Sequence, residues 1–463
     1  MESTVFSPQD SPTGRRIAKD ARVAWSTRGP NSFTFNVVLV TGGLGMGLAL
    51  GLPVVDGTLS ELHVPGGVAM FIGSVTGIVG TYLALMMVLL ASRMPALERM
   101  LGQGGVIHWH RRLAPWPIFL IVTHAVFLTL SYAEAAKRGI WSEVGVIVNT
   151  FPNMVTATVA LGIMVMIGVI SIRQIRLRIP RENWWLIHLT MYVALAISFA
   201  HEVALGPSFV RHPLAQYAWT AAWLLVAGIV LVYRVGFPVY RSLRHQLRVV
   251  EVKREGPEVV SIVLKGRDLD RLAIAGGQFF EWRFMTSGMW WQAHPFTVSA
   301  LPQPPFIRLT VKGVGDFSRQ IATVSGGVRV AIEGPYGSFT KHASKRNLVL
   351  LVAGGIGVTA VRSLLEDLPP RSRPVVVLRA SRAEDLALVD EIEALARFRK
   401  GVVHLLVGSR HDVALESMVT LVPDMVKRDV FICGSDDFVR AAVTIAQRAG
   451  VPPEALHQEA YSI

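Results

Sequence analysis

Apolar and polar positions divide the chain into two halves of different character. The first half contains six long apolar stretches, at roughly 33–52, 66–91, 108–132, 153–172, 184–204 and 215–235. Each stretch approaches the ~20 residues with which an α-helix crosses about 30 Å of hydrocarbon. The pattern therefore predicts an all-α transmembrane bundle of six helices over 33–240. Residues 1–32 have no apolar core, so we expect a cytosolic tail there rather than a cleaved signal peptide.

After residue 240 the apolar runs become short and rich in β-branched residues. Runs such as VVSIVL and FIRLTV, separated by Gly, Pro and Asp, predict an antiparallel β-barrel domain over 246–342. From 345 onward, strand-like runs such as NLVLLVA and PVVVLRA alternate with helical segments. This alternation predicts a Rossmann-like α/β domain with a parallel sheet over 345–463.

Basic residues outnumber acidic ones, 46 against 33, which gives a formal net charge of +13. An excess of this size is compatible with nucleic-acid binding, but its position favours another interpretation. Most basic residues that flank the predicted spans lie on one side, at 15–28, 93–112, 173–181 and 234–248. The opposite side carries Lys137, Arg138 and Arg211. By the positive-inside rule we expect a multi-pass protein of the plasma (cell inner) membrane, with both termini cytosolic, the lipid bilayer as a partner and no nucleic acid.

Two of the predicted spans contain two histidines each: His110 and His124 in the third, His188 and His201 in the fifth. Ionisable side chains inside a membrane are costly, so they mark functional sites by default. Because the third and fifth spans run in the same direction, His110 faces His188 near the cytosolic side and His124 faces His201 near the outer side. The two pairs lie about 20 Å apart along the helices. Facing imidazoles of this kind predict axial ligation of two b-type haems.

Some features leave the haem interpretation open. In a straight helix, with a rotation of about 100° per residue, His188 and His201 point about 140° apart. His108 is a rival of His110, although its separation from His124 matches the second pair less well. The simpler alternative is four buried histidines that hydrogen-bond to neighbouring helices. The single cysteine, Cys433, excludes a disulfide within the chain and an iron–sulfur cluster held by its thiolates.

Five short motifs follow the histidine pairs in order. They are HPFTVSA (294–300), VKGVGDFS (311–318), EGPYGSF (333–339), AGGIGVTA (353–360) and CGSDDF (433–438). Together with the six spans, they resemble the ferric reductase and NADPH oxidase superfamily over nearly the whole chain. The resemblance implies a ferric reductase-like transmembrane domain fused to a ferredoxin-NADP reductase-type module that binds FAD and NAD(P)H.

For the FAD site, the resemblance places Thr297 near the reactive N5 atom of the flavin and gives it a catalytic role. It implies that His294 and Phe296 flank the isoalloxazine and ribityl chain, while Pro295 stiffens the strand end. Tyr461 stands where relatives place an aromatic ring on the flavin; a tail without structure is the alternative. The implied contacts of the FAD pyrophosphate, next to a helix start with unpaired N–H groups, are Lys312, Gly315 and Ser318.

A second glycine-rich segment indicates nucleotide binding. Gly354, Gly355 and Gly357 follow a predicted strand and precede a predicted helix, which is the context required for binding dinucleotide phosphates. The pattern is GGxGxT rather than GxGxxG, as the resemblance implies. Thr359 is suited to capping that helix and contacting a phosphate.

The next strand ends in Arg379, Ser381 and Arg382. Basic and hydroxyl groups at this position suit the 2′-phosphate of NADPH, whereas NAD sites usually present an acidic residue. The sequence thus favours NADPH and leaves NADH possible. Cys433, in a catalytic role, and Gly434 resemble the family segment beside the nicotinamide.

These features predict a transmembrane oxidoreductase that transfers electrons from cytosolic NADPH through FAD and two haems to an extracytoplasmic acceptor. Members of the superfamily reduce dioxygen to superoxide or reduce chelated ferric iron. Leu128 stands where the oxidases carry a further histidine, so ferric chelate is favoured. An electron relay to a periplasmic partner protein is another alternative. The nucleotide motifs disfavour a proton or ion conduit, which has no use for a hydride donor.

Overall fold

The computed structural model describes residues 32–210, 212–409 and 414–461. The chain forms two compact units: a helical unit of Pro30–Met100 and Gly104–Arg234, and a C-terminal unit that begins at Val235. The predicted tail lies outside the described residues except for Ser32, and so does Arg211.

The helical unit is built from helices of very different length. They are α1 (Ser32–Val55), α2 (Gly67–Ala91), α3 (Pro95–Leu113), α4 (Pro115–Ala136), α5 (Ile140–Thr150), α6 (Met154–Ile170), α7 (Arg173–Arg176), α8 (Arg181–Leu205), α9 (Pro207–Val210) and α10 (Pro213–Leu231). Helices α3 and α4 are continuous, because Ala114 between them keeps helical dihedral angles, φ −51° and ψ −36°. His110 and His124 therefore lie on one rod, as the sequence predicts.

Four helices among the described residues are long and apolar enough to cross a membrane. These are Gly67–Ala91, Gly105–Ala136, Glu182–Leu205 and Pro213–His245. A fifth span arises if α5 and α6, which are bent by 116° at their junction, count as one. The prediction of six spans is therefore not confirmed. The first predicted span falls on α1, whose apolar helix Val40–Val55 is shorter than the others, and α6 alone has only 17 residues.

Small residues allow α2 to lie directly against α4. A Cβ atom at Gly73 would collide with the Leu128 side chain, and one at Gly77 would collide with the His124 ring. The two glycines are four residues apart and so lie on the same face of α2. Close backbone approach through small residues is a main source of helix association within a bilayer. The two glycines thus allow this face of α2 to lie against His124.

The C-terminal unit begins with α11 (Phe237–His245), followed by an antiparallel sheet. Its strands are β1 (Arg248–Arg254), β2 (Val259–Lys265), β3 (Phe279–Phe284), β4 (His294–Gln303), β5 (Phe306–Lys312) and β6 (Val330–Tyr336), in the order β1-β2-β5-β4-β3-β6, with α12 (Asp316–Ile321) after β5. The amide of Val249 donates to the carbonyl of Val328 (2.9 Å), and that of Val330 donates to Leu247 (2.9 Å). These bonds join the sheet edges and close the barrel.

A five-stranded parallel sheet follows. Its elements are β7 (Val349–Gly354), α13 (Val358–Asp367), β8 (Val375–Ala380), α14 (Val389–Phe398), β9 (Val402–Val407), α15 (Ser417–Leu421), β10 (Asp429–Ser435), α16 (Asp436–Arg448) and β11 (Leu456–Tyr461). The strand order is β11-β10-β7-β8-β9, and every pairing is parallel. Strand β7 is buried along its whole length, which explains why its sequence reads as an unbroken apolar run. A β-barrel followed by a Rossmann-like α/β domain is therefore observed.

A charged cluster joins the barrel to the α/β domain. Arg308 on β5 donates two hydrogen bonds of 2.7 Å to Glu391 at the start of α14. Glu391 also accepts one from Arg362 (2.8 Å), and its hydrogen bonds to Arg308 lower the pKa of its carboxyl. Glu366 accepts a hydrogen bond from the amide of Leu301 on β4 (2.7 Å). Because several charged groups act together, this cluster fixes the two domains more firmly than one surface pair would.

Candidate functional sites

The outer histidine pair consists of His124 on α4 and His201 on α8. Their ring centroids lie 6.4 Å apart, with 48° between the ring planes. The Nδ1 atom of His124 is 2.8 Å from the carbonyl oxygen of Gly73, and that of His201 is 2.5 Å from the carbonyl oxygen of Ser198. A carbonyl only accepts, so Nδ1 carries the proton on each ring. Nε2 is then left with its lone pair, the form that ligates a metal.

The inner pair consists of His110 and His188, whose ring centroids lie 6.3 Å apart with the planes at 66°. The indole of Trp184 stacks on His188 at 4.8 Å, and the guanidinium of Arg176 lies 4.7 Å from the Trp184 ring. Within the described residues, the buried Nδ1 atom of His188 makes no hydrogen bond. His108 contacts Trp109 edge-on and does not belong to the pair.

Both pairs have the spacing that one shared iron requires. A metal–imidazole nitrogen bond is about 2 Å, so two nitrogens on one metal lie about 4 Å apart, and the ring radii bring the centroids to about 6 Å. The observed 6.3 and 6.4 Å agree with this value. Each pair brings two imidazole rings together, and among the described residues no group of three or more His, Cys, Asp or Glu side chains could hold a metal ion. Two axial ligands are what a haem takes, since the porphyrin supplies the other four.

The carboxyl group of Glu202 lies next to the outer pair in the chain and was not predicted from the sequence. Glu202 accepts a hydrogen bond from the indole nitrogen of Trp219 (3.0 Å), and the hydroxyl of Thr81 lies 3.5 Å from its other oxygen. The contacts tie α8 to α2 and α10 one residue beyond His201. Glu202 could have been recognised in the sequence as an acidic residue at the end of an apolar span, because a carboxyl inside a membrane is as costly as a histidine.

In the C-terminal unit, the structure brings Thr297 and Tyr461 together, with 2.6 Å between their hydroxyl oxygens. Thr297 lies on β4 opposite Phe279 of β3 and is buried. The adjacent carbonyl of Phe296 accepts a hydrogen bond from the buried Trp282 indole (2.8 Å). This hydrogen bond holds in place the part of β4 that carries Thr297.

The first two motifs also meet in space. The ring of His294 stacks on Phe317 with 3.7 Å between centroids and 19° between planes. The amide of Gly315 donates to the hydroxyl of Ser318 (2.9 Å) at the start of α12. Lys312 lies apart from this turn, with its ammonium group 3.9 Å from both Glu258 and Asp385. Pro295 and Phe296 continue β4 between His294 and Thr297.

The last strand carries a second residue that sequence reasoning missed. On β11, Glu459 pairs in register with Cys433 of β10, and Tyr461 pairs with Ser435. Burial raises the pKa of Glu459 to about 8 and raises the pKa of the Cys433 thiol well above its ordinary range. Both groups are therefore neutral at pH 7. The sequence gives little warning, because an isolated Glu near the end of a chain is usually solvated.

Glycines in the AGGIG and CGS segments allow the two turns to touch. A Cβ atom at Gly357 would collide with the carbonyl of Cys433, and one at Gly434 would lie 3.1 Å from the carbonyl oxygen of Gly354. Gly355 has φ +57°, a left-handed conformation that favours glycine. The hydroxyl of Thr359 donates to the carbonyl of Ile356 (3.0 Å), so it closes this turn at the start of α13.

The structure separates the two arginines that the sequence assigned to a 2′-phosphate. Arg379 is buried and donates to the backbone carbonyls of Ala380, Leu406 (3.2 Å) and Ser409 (3.0 Å). This arrangement does not support Arg379 as a phosphate ligand, because its donors are directed to the chain itself. Arg382 has 64% of its side chain exposed and pairs with Glu384 and Asp385. Ser381 beside it is also exposed.

Two family models match parts of the chain, one in each half. A family model described as "Ferric reductase like transmembrane component" matches residues 76–199, and one described as "FAD-binding domain" matches residues 244–340. The first match contains His110, His124 and His188 and ends just before His201. The second contains Thr297, Lys312 and Ser318.

Individual relatives are distant. The chain is 25% identical over 316 residues to a probable ferric reductase transmembrane component of Candida albicans, which covers 64% of this chain and 43% of that protein. It is 25% identical over 236 residues to a flavohemoprotein of Bacillus subtilis, which covers 46% of this chain and 58% of that protein. The chain thus spans about half the length of these relatives. Among solved structures, the flavohem-like FAD/NAD binding domain of nitric oxide dioxygenase from Vibrio cholerae aligns with 47% of this chain and 99% of its own, at 22% identity and a TM-score of 0.42.

Proposed function

We propose that this chain, a ferric reductase-like membrane protein with an FAD-binding domain, is an NAD(P)H-dependent oxidoreductase that passes electrons across the bilayer. The donor is NADPH in the cytosol, and the acceptor is a ferric chelate on the opposite side. The cofactors are FAD and two b-type haems. Both termini are cytosolic, and the membrane is the plasma (cell inner) membrane.

One observation carries this proposal: two histidine pairs with the same spacing lie along the same two helical rods. The centroid separations are 6.3 Å for His110 and His188 and 6.4 Å for His124 and His201. Thirteen or fourteen residues along a helix correspond to about 20 Å, so the pairs lie at two depths of the bilayer. Histidines that only hydrogen-bond to neighbouring helices have no reason to repeat this spacing.

The chain's own residues hold and orient these groups. When bound, haem would supply one-electron redox chemistry, and FAD would supply the change from a two-electron hydride donor to one-electron transfer. The carbonyls of Gly73 and Ser198 hold the Nδ1 protons of the outer rings and so direct Nε2 away from the helix backbones. Thr297 provides a hydroxyl at the flavin. The hydroxyl of Tyr461, from the α/β domain, forms a hydrogen bond with that of Thr297.

The nucleotide binds through the glycine turn and the strands beside it. The turn from Gly354 to Gly357 lies at the start of α13, where unpaired backbone N–H groups suit phosphates. Arg382, which is exposed, contacts the 2′-phosphate of NADPH. Cys433 and Glu459 stay neutral, so they provide an uncharged wall next to the nicotinamide.

Leu128 favours ferric chelate over dioxygen as the acceptor. The resemblance places a further histidine of the oxidases at this position. In the structure, the Leu128 side chain lies against Gly73 of α2, so an apolar group fills the space next to the outer pair. The similarity to a Candida albicans protein named as a probable ferric reductase supports the same acceptor class.

Sealed vesicles test the proposal. The full-length protein is reconstituted with its C-terminal unit inside, NADPH is enclosed, and an impermeant ferric chelate is added outside. We expect external chelate to support turnover and enclosed chelate not to support it. Because electrons move outward, turnover depolarises vesicles that are negative inside. Turnover slows when the interior is made positive, because each electron that crosses the whole membrane then works against the potential, at about 2.3 kcal/mol per 100 mV.

Three outcomes distinguish the alternatives. Equal turnover with enclosed chelate shows that electrons leave from the flavin, and the transmembrane proposal fails. Superoxide production without chelate at the same rate identifies dioxygen as the acceptor. Turnover that appears only after a periplasmic extract is added identifies a partner protein as the acceptor.

A further inference from the structure

One end of the barrel exposes large apolar side chains from two segments that are distant in sequence. The loop between β3 and β4 exposes Met285 and Trp290, and α11 exposes Tyr240 and Leu243. Trp290 is 60% exposed and Leu243 is 68% exposed. We call these four residues the apolar rim. Grouped apolar side chains of this size mark an interaction surface rather than ordinary scatter.

Backbone contacts place the two segments at the same end of the barrel. The amide of Ile332 on β6 donates to the hydroxyl of Ser242 on α11 (3.1 Å), so α11 lies on the first half of β6. The amide of Met285 donates to the carbonyl of Arg329, the residue before β6 (2.9 Å). The β3–β4 loop therefore leaves the barrel next to α11.

Arginines surround the apolar rim. Arg283 donates to the carbonyls of Trp290 and Trp291 (3.4 Å each) and so supports the loop. Arg248 and Arg329 lie opposite each other in an antiparallel bridge, and both are exposed. Arg244 is the one with an acidic partner, Asp268, at 3.3 Å. Among the described residues, one ion pair against four arginines leaves this surface with a net positive charge.

The chain reaches this end of the barrel directly from the membrane. Pro213–His245 qualifies as one apolar helix, in which a π-helical turn, Val232–Gly236, connects α10 to α11. The 19 residues of α10 extend about 28 Å, close to the hydrocarbon thickness of a bilayer. Helix α11 therefore follows α10 directly along the chain, at the end of the last candidate membrane span.

We propose that the apolar rim docks on the lipid bilayer itself. Trp and Tyr are the residues enriched at the membrane–water interface, and arginines next to them attract anionic lipid. Trp290 enters the interfacial layer, and the arginines bind anionic headgroups. Because β4 begins at His294, directly after this loop, docking also holds the HPFTVSA strand near the membrane surface. The inference rests on the membrane location and not on the acceptor.

The single cysteine makes a depth measurement possible. Cys433 is fully buried, so a cysteine introduced at the surface takes a spin label selectively. The full-length Trp290→Cys protein is labelled, placed in nanodiscs with anionic lipid, and its accessibility to oxygen and to a water-soluble nickel chelate is measured. Phe398→Cys is the matched control, since Phe398 at the end of α14 is a 72% exposed aromatic. Met285→Cys provides a second probe if Trp290→Cys does not fold.

We expect the oxygen-to-nickel accessibility ratio at position 290 to exceed that at 398 several-fold. In nanodiscs without anionic lipid, or in the Arg248→Glu/Arg329→Glu double variant, the ratio at 290 falls toward the control. Equal ratios at 290 and 398 in anionic nanodiscs overturn the proposal, because the loop is then in water. Low access to both reagents also overturns it, because protein then covers the loop. None of these readouts depends on electron transfer, so the proposed function is tested separately.

Discussion

The hydroxyl oxygens of Thr297 and Tyr461 lie 2.6 Å apart, although 164 residues separate the two positions in the sequence. Thr297 belongs to the barrel, and Tyr461 ends the last strand of the α/β domain. The contact therefore joins the two domains at the proposed flavin position.

We expect Thr297→Val to slow flavin reduction by NADPH about twofold to tenfold, because one hydrogen bond contributes about 0.5–1.5 kcal/mol. Stopped-flow absorbance of the flavin measures this rate. Thr323→Val, which changes an exposed hydroxyl that donates to the carbonyl of Gln320, is the control and leaves the rate unchanged. An unaltered rate in Thr297→Val shows that this hydroxyl does not act on the flavin.

Replacing one outer histidine should remove one haem. We expect His124→Ala or His201→Ala to lower the haem content from two per chain to one, while flavin reduction by NADPH continues. A pyridine haemochrome assay on purified protein gives the ratio. His63→Ala changes an exposed histidine outside both pairs and keeps two haems. Two haems in His201→Ala would mean that iron does not bind between these rings.

Glu459 predicts a pH dependence of stability. Its pKa is about 8 in the folded protein, above the ordinary 4.5, so the folded state retains a proton that the unfolded chain releases. Stability from this group is present below pH 4.5 and is lost as pH rises to about 8. We therefore expect Glu459→Gln to unfold at a higher temperature than the natural protein at pH 8.5, with the difference shrinking toward pH 5. A difference independent of pH in thermal unfolding would show that the carboxyl is not held neutral.

Arg379 and Arg382 should respond differently to substitution. We expect Arg382→Gln to raise KM for NADPH about tenfold with little change for NADH, since a charge-assisted hydrogen bond contributes about 1.5–3 kcal/mol and this one is exposed. Arg379→Gln leaves buried carbonyls without their donor, so it lowers the unfolding temperature and affects both nucleotides alike. Steady-state kinetics with both nucleotides and thermal unfolding separate these effects. Equal use of NADPH and NADH by the unaltered protein would remove the 2′-phosphate assignment.

Much of the architecture is a local property of the sequence. Four of the predicted spans contain helices that can cross a membrane, because about 20 consecutive apolar residues suffice for a span. The alternation of short apolar runs with helical segments likewise specifies the parallel sheet. The count of six spans was not confirmed, since the apolar helix Val40–Val55 and α6 fall short on length and α5 bends sharply into α6. Hydropathy does not register such a bend.

The sites depended on tertiary structure. The sequence placed four histidines on two spans, but a straight-helix projection put His188 and His201 about 140° apart. Only the tertiary arrangement, which places α8 opposite the helix formed by α3 and α4, brings both pairs to the same spacing. The same holds for Arg379, which donates to the carbonyl of Leu406 on the neighbouring strand, and for Glu459, whose neutrality comes from burial. The sequence by itself determined which chemical groups are present and on which helices and strands they lie, because local periodicity sets those elements. Only the tertiary structure decided where each side chain points, what it contacts and how deeply it is buried. These properties depend on contacts between distant segments, which no local pattern contains.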